Sequence, residues 1–139
     1  MAAYWKETPP VARVCTLLGA SFYLLWAALH IQAGLAVVRL GDKTAAGMTQ
    51  GRIYQDAWTL LVAAGVVIAA SGLAIWRRPR AAYWVNLAVA TVTDVGFIVF
   101  ILLPGYMPLW PGLQGPVSWI LGALFATVGI VLSGRFVSP

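Results

Sequence analysis

Apolar residues fall in four long unbroken runs, separated by short stretches that carry nearly all of the charge. The runs are VARVCTLLGASFYLLWAALHIQAGLAVV at 11–38, IYQDAWTLLVAAGVVIAASGLAIW at 53–76, YWVNLAVATVTDVGFIVFILL at 83–103 and VSWILGALFATVGIVLSGRFV at 117–137. Each suits a helix across a bilayer, which takes about 20 residues at about 1.5 Å per residue. The runs do not alternate apolar with polar positions, which argues against a β-barrel. Pro9 and Pro10 stand where a first helix would start, Pro104 and Gly105 stop the third, and Pro116 precedes the fourth. The expected architecture is all-α, an integral membrane four-helix bundle forming a single domain over residues 1–139.

Composition strengthens this reading. The chain is 61% hydrophobic and 9% charged, with a mean hydropathy of +0.85, too little charge to clothe a soluble domain of this size. The formal charge of +5 is spread between the runs, and no basic patch has the length or aromatic interleaving of a nucleic-acid surface. Charge instead sets orientation. Lys6, Arg13, Arg77, Arg78, Arg80 and Arg135 fall on the side of the termini, against Arg39, Lys43 and Arg52 on the other. The positive-inside bias therefore places both termini in the cytoplasm, and the bacterial inner (cell) membrane is the expected location. Trp76, Tyr83 and Trp84 would form an inner aromatic belt, and Tyr54, Trp58, Tyr106, Trp110 and Trp119 an outer one. The run from Val11 to Leu40 is too long for a cleaved signal and is expected to stay in the mature chain. Cys15 is the single cysteine, so no intrachain disulfide can form, and it reads as a small buried hydrophobe.

Against this background three ionisable residues stand out: His30, Asp56 and Asp94. Charging such groups in hydrocarbon is expensive, so they normally face a bundle interior, a partner or a cavity. Counted from the outer helix ends, His30 lies about 12 Å deep and Asp94 about 13 Å. Asp56, with Tyr54 and Gln55, sits one turn into the second run, outlining a wedge that opens outward and ends at His30 and Asp94. Tyr23, Trp26, His30 and Gly34 share one helical stripe, and Asn86, Ala90, Thr93, Asp94 and Phe97 another. Ser118, Gly122, Ala126, Gly129 and Ser133 form a small-residue ridge that favours close packing, within the bundle or in a homodimer.

The outer connections differ. GDKTAAGMTQGR reads as a flexible polar loop, whereas PGYMPLWPGLQGP mixes prolines, glycines and bulky residues. It suits either a cap over the bundle or an interfacial loop with Tyr106 and Trp110 at headgroup depth.

A deep Asp beside a His can exchange a proton, whether the pair is ionised or neutral. The expected catalytic set is Asp94 as donor or base, His30 as its shuttle and Asp56 as a second carboxylate. Tyr23, Trp26, Tyr54, Gln55 and Asn86 are the candidate substrate-binding residues. One histidine and two carboxylates at these positions give no metal signature, and no cofactor is expected. The leading expectation is a small membrane enzyme performing acid–base chemistry, an isomerisation, cyclisation or epoxide opening, on a lipophilic oxygen-bearing molecule reached through membrane lipid. The alternatives are a small transporter or proton-coupled channel, and an accessory membrane subunit in which the His–Asp pair is a clasp.

Overall fold

The computed structural model describes residues 8–76 and 79–134. Lys6, Arg77, Arg78 and Arg135, which enter the orientation argument, lie outside the described residues, as do positions 135–137 of the fourth run. The elements are α1 (Pro10–Asp42), α2 (Met48–Trp76), α3 (Pro79–Phe97) continued by a π-helical segment (Ile98–Leu102), the short α4 (Leu109–Gly112) and α5 (Gln114–Leu132). Among the described residues four helices are long and apolar enough to cross a membrane, spanning Pro10–Asp42, Met48–Ala74, Arg80–Leu102 and Gln114–Leu132. The chain is an all-α integral membrane bundle.

The helix ends follow from local chemistry. Pro10 occupies the first turn of α1, where its missing N–H costs nothing. Of the polar segment between the first two runs, only residues 43–47 leave the helices. The flexible loop expected there is mostly helix, because its polar side chains tie the two ends together. Gln50 Nε2 donates to the Gly41 carbonyl at 3.0 Å, and Tyr54 Oη donates to Asp42 Oδ1 at 2.8 Å. The Tyr54 ring lies so close to Gly41 that a Cβ there would stand 2.6 Å from its edge. At the end of α3 the backbone widens, with Leu103 N–H bonding the Ile98 carbonyl at 2.8 Å. A proline ring clashes with the carbonyl four residues earlier, and the wider turn ahead of Pro104 relieves that clash. Gly134, at φ +69°, takes the left-handed conformation that ends α5.

α1 packs against α2 and α5, and α3 against the same two helices, so α1 and α3 face each other across the bundle diagonal. Successive spans alternate in direction, which makes α1 and α3 parallel. The α1–α5 contact is close and antiparallel, with Thr16 on Gly129, Gly19 on Ala126, Tyr23 on Gly122 and His30 on Gly115. A Cβ on Gly129 would fall 2.7 Å from Thr16 Oγ1, and one on Gly19 would fall 2.7 Å from the Ala126 nitrogen. Small residues let backbones approach in lipid, where dispersion and polar contacts replace the hydrophobic effect between helices. The small-residue ridge is therefore occupied by α1 at Gly122, Ala126 and Gly129. The centre is filled by Tyr23, Trp26, Ala27, Ala64, Val67 and Ala90. Large apolar side chains such as Val92, Phe100 and Leu103 point outward, as a lipid-facing surface requires.

The proline-rich connection does two things at once. Gly112 is buried against Leu102 and Met107, folding the segment back onto the π-helical turn. Tyr106, Leu109 and Trp110 remain exposed. Trp119, expected in the outer belt with them, instead packs half-buried against the core.

Candidate functional site

Asp94 has no exposed surface, and His30 is 7% exposed. Trp26 Nε1 donates to Asp94 Oδ2 at 2.7 Å, across the bundle diagonal. His30 Nε2 lies 3.4 Å from Asp94 Oδ1, longer than a formed hydrogen bond, and Oδ1 has no hydrogen-bond partner. One turn before His30 in α1, the Trp26 carbonyl stands 2.9 Å from His30 Nδ1. The Trp26 and His30 rings stack with centroids 3.7 Å apart and planes 24° apart. Gly115, in the first turn of α5, closes the remaining side: a Cβ there would lie 3.1 Å from His30 Cε1 and 3.5 Å from Asp94 Oδ1.

This geometry fixes where a proton can be. A carbonyl only accepts, so Nδ1 must carry hydrogen in either charge state of the ring. Nε2 is then a bare acceptor in the neutral imidazole and a donor in the imidazolium. A neutral imidazole facing an ionised Asp94 would set a lone pair against a buried, uncompensated charge, which is costly out of water. A proton shared by the pair would sit either on Nε2, as an imidazolium–carboxylate pair, or on Oδ1, as a neutral carboxylic acid facing imidazole. Trp26 serves both states, because indole N–H can donate to Oδ2 whichever oxygen is protonated.

The residues expected to form one outward-opening site do not all meet. His30, Asp94 and Trp26 do. Gln55 and Asp56 lie exposed at the loop end of α2, and Tyr54, 38% exposed, turns to α1, where it packs on Gly41 and bonds Asp42. Gln55 Oε1 accepts from Arg52 at 2.8 Å, so the amide takes up the cation that could have paired with Asp56. Among the described residues no three histidine, cysteine, aspartate or glutamate side chains cluster closely enough to hold a metal ion.

Tyr23 and Asn86 are buried two turns further toward the termini, away from His30 and Asp94. Asn86 Nδ2 donates to Ser71 Oγ at 3.1 Å, while Asn86 Oδ1 and Tyr23 Oη have no partner. Both line a cavity of about 30 Å³ shared with Thr16, Tyr83 and Ser133.

Sequence reasoning missed Gly115 and Ser71 and underused Trp26. The signal for Gly115 was present: Gly115, Gly122 and Gly129 recur every seven residues, continuing the ridge by one heptad toward the loop end. Trp26 precedes His30 by one turn on the same stripe, but its role as the donor to Asp94 depends on the diagonal contact. Comparison with protein family models, with curated proteins and with solved structures returns no match for this chain.

Proposed function

We propose that this protein is a small membrane enzyme that uses the His30–Asp94 pair for cofactor-independent acid–base chemistry on a lipophilic, oxygen-bearing molecule. The observation that carries this reading is the placement of His30, with Nδ1 2.9 Å from the Trp26 carbonyl and Nε2 3.4 Å from Asp94 Oδ1, which suits one transferable proton between Nε2 and Oδ1. Such a pair can give its proton to a substrate oxygen or double bond and recover one from a neighbouring carbon. Isomerisation, cyclisation and epoxide opening are all of this type, since electrons stay within the substrate and no redox partner is required. His30 retains a sliver of exposed edge whereas Asp94 has none, so His30 is the group a substrate meets first. Entry then requires the first turn of α5, with Gly115, to move away from His30 and Asp94. That turn follows directly on the folded-back 103–113 segment, which makes the segment the natural gate. In this reading both termini face the cytoplasm, the membrane is a bacterial inner membrane, and lipid delivers the substrate.

One observation favours a second reading. The complete enclosure of Asp94 suits a static clasp that ties α1 to α3, as in an accessory subunit. A single experiment separates the two without knowledge of the substrate. The purified protein in nanodiscs is incubated with a bacterial lipid extract in D₂O, and lipids that gain one deuterium are sought by mass spectrometry. Catalysis predicts a labelled product that disappears in folded Asp94→Asn and His30→Ala variants. A clasp predicts identical spectra for all three proteins, and that result would end the enzymatic reading.

A further inference from the structure

The cavity at the termini end presents a different chemistry from the His30–Asp94 pair and is independent of its role. It is lined from all four spanning helices, by Thr16, Ala20 and Tyr23 of α1, Ala74 of α2, Tyr83 and Asn86 of α3, and Ala126, Ile130 and Ser133 of α5. Thr8 stands at the same wall. A pit sampled by every helix lies on the bundle axis, near the headgroup level of the terminal side.

Two of its polar atoms are unusual. Tyr23 is 1% exposed and Asn86 is 3% exposed, yet Tyr23 Oη and Asn86 Oδ1 have no hydrogen-bond partner. An unpaired buried polar group costs roughly 1–3 kcal/mol, so two beside one cavity imply an occupant. Its chemistry follows from the two atoms. Asn86 has committed its Nδ2 to Ser71, and Oδ1 can only accept, so the occupant must donate. Tyr23 Oη can donate, so the same occupant can accept in return. Among the described residues every side chain lining the cavity is uncharged, so none of them would compensate a phosphate, a carboxylate or an ammonium group. A volume of about 30 Å³ admits only a small group.

We propose that this cavity is a binding site for a neutral hydroxyl group, which donates to Asn86 Oδ1 and accepts from Tyr23 Oη. Two sources share that chemistry: the terminal hydroxymethyl of a neutral lipid alcohol, and a resident water. Ala20, Ala74, Ala126 and Ile130 supply apolar contacts for the carbon of the first, while the second needs only the two polar atoms.

The test uses the full chain in phosphatidylcholine nanodiscs with isotope-labelled tyrosine, the Tyr23 resonances being assigned by comparison with Tyr23→Phe. Nuclear Overhauser contacts to the Tyr23 ring are measured with water, with 1-decanol and with decyl methyl ether, which accepts but cannot donate. A contact to the decanol hydroxymethyl that the ether fails to give identifies a lipid alcohol as the source, and Tyr23→Phe should then weaken decanol binding about five-fold. A persistent water contact with no decanol contact identifies water as the source. Equal contacts from alcohol and ether would overturn the proposal, as would a Tyr23 ring that sees neither water nor alcohol. The alcohol–ether comparison is made on the unmodified protein, and if Tyr23→Phe folds poorly, substituting the other four tyrosines one at a time assigns the Tyr23 resonances by elimination.

Discussion

Replacing Asp94 by asparagine should leave the bundle almost as stable as before, although it alters a completely buried ionisable residue. The amide is nearly isosteric with the carboxyl. Its oxygen can accept from Trp26 Nε1 in place of Oδ2, and its NH₂ can donate to His30 Nε2 in place of the shared proton. This works only because the Trp26 carbonyl holds hydrogen on Nδ1 and leaves Nε2 as the acceptor. The expected change is within about 1 kcal/mol. Asp94→Ala should behave differently, because it orphans both the indole N–H and the imidazole Nε2 inside the bundle. Each orphan costs about 1–2 kcal/mol once partners available in the membrane-embedded unfolded state are discounted, giving about 2–4 kcal/mol in total. Unfolding in mixed micelles with increasing sodium dodecyl sulfate, followed by circular dichroism, measures both variants against the parent. If Asp94→Asn falls as far as Asp94→Ala, Nε2 does not accept, and the single-proton description of the pair is wrong.

Trp26→Phe removes the side-chain hydrogen bond that Asp94 accepts among the described residues and should cost about 1–3 kcal/mol in the same unfolding assay. Its effect should shrink in the Asp94→Asn background, where the orphaned group is a neutral amide, and a double-mutant cycle reads that coupling. Gly129→Ala should destabilise by about 1–3 kcal/mol, because its Cβ would lie 2.9 Å from the Thr16 backbone nitrogen and force α1 and α5 apart. Gly72→Ala meets nothing within 4 Å and should instead stabilise by up to about 1 kcal/mol through helix propensity, so melting temperatures should move in opposite directions. Asp56→Asn lies at the exposed loop end and should shift stability by less than about 0.5 kcal/mol, leaving deuterium incorporation into lipid unchanged.

The stripes read from the sequence anticipate which faces are buried. Tyr23, Trp26, His30 and Gly34 are all buried, as are Asn86, Ala90 and Asp94. A 3.6-residue period survives in a membrane bundle because ionisable and small groups seek the interior while bulky apolar groups tolerate lipid. What periodicity cannot give is the pairing of faces between helices. Asp56 has a polarity compatible with a shared vestibule, but it lies exposed near the loop end of α2, at the level where Gly34 meets Ala57 and about one turn above His30. Trp119 carries the ordinary mark of an interfacial anchor, yet it follows Gly115 by one turn and is drawn toward the core with that face of α5. The hydrogen bond from Trp26 to Asp94 is invisible for a similar reason. It joins helices with little backbone contact, and only the length of an indole spans the diagonal.

The two polar stations of this bundle are built on one repeat. His30 follows Tyr23 by seven residues and Asp94 follows Asn86 by eight, so each station sets an α1 ring near an α3 side chain at one level. Between them lies the core layer of Trp26, Ala27, Val67 and Ala90, with no charged group. A tyrosine and a histidine on the inner face of α1 need room on the opposing helix, and α5 provides it with Gly122 and Gly115, again seven apart. The glycine spacing on α5 is thus dictated by the polar spacing on α1. Enclosure then separates the stations. At the upper one, Gly115 and the Trp26 ring help to enclose Asp94 completely and leave only an edge of His30 exposed. At the lower one the glycine accommodates the Tyr23 ring but leaves its hydroxyl facing a cavity, where a neutral donor can come and go. A substitution that opened the upper station without unfolding the bundle, or closed the lower one, would exchange their behaviour, because the difference lies in access more than in the polarity of the residues.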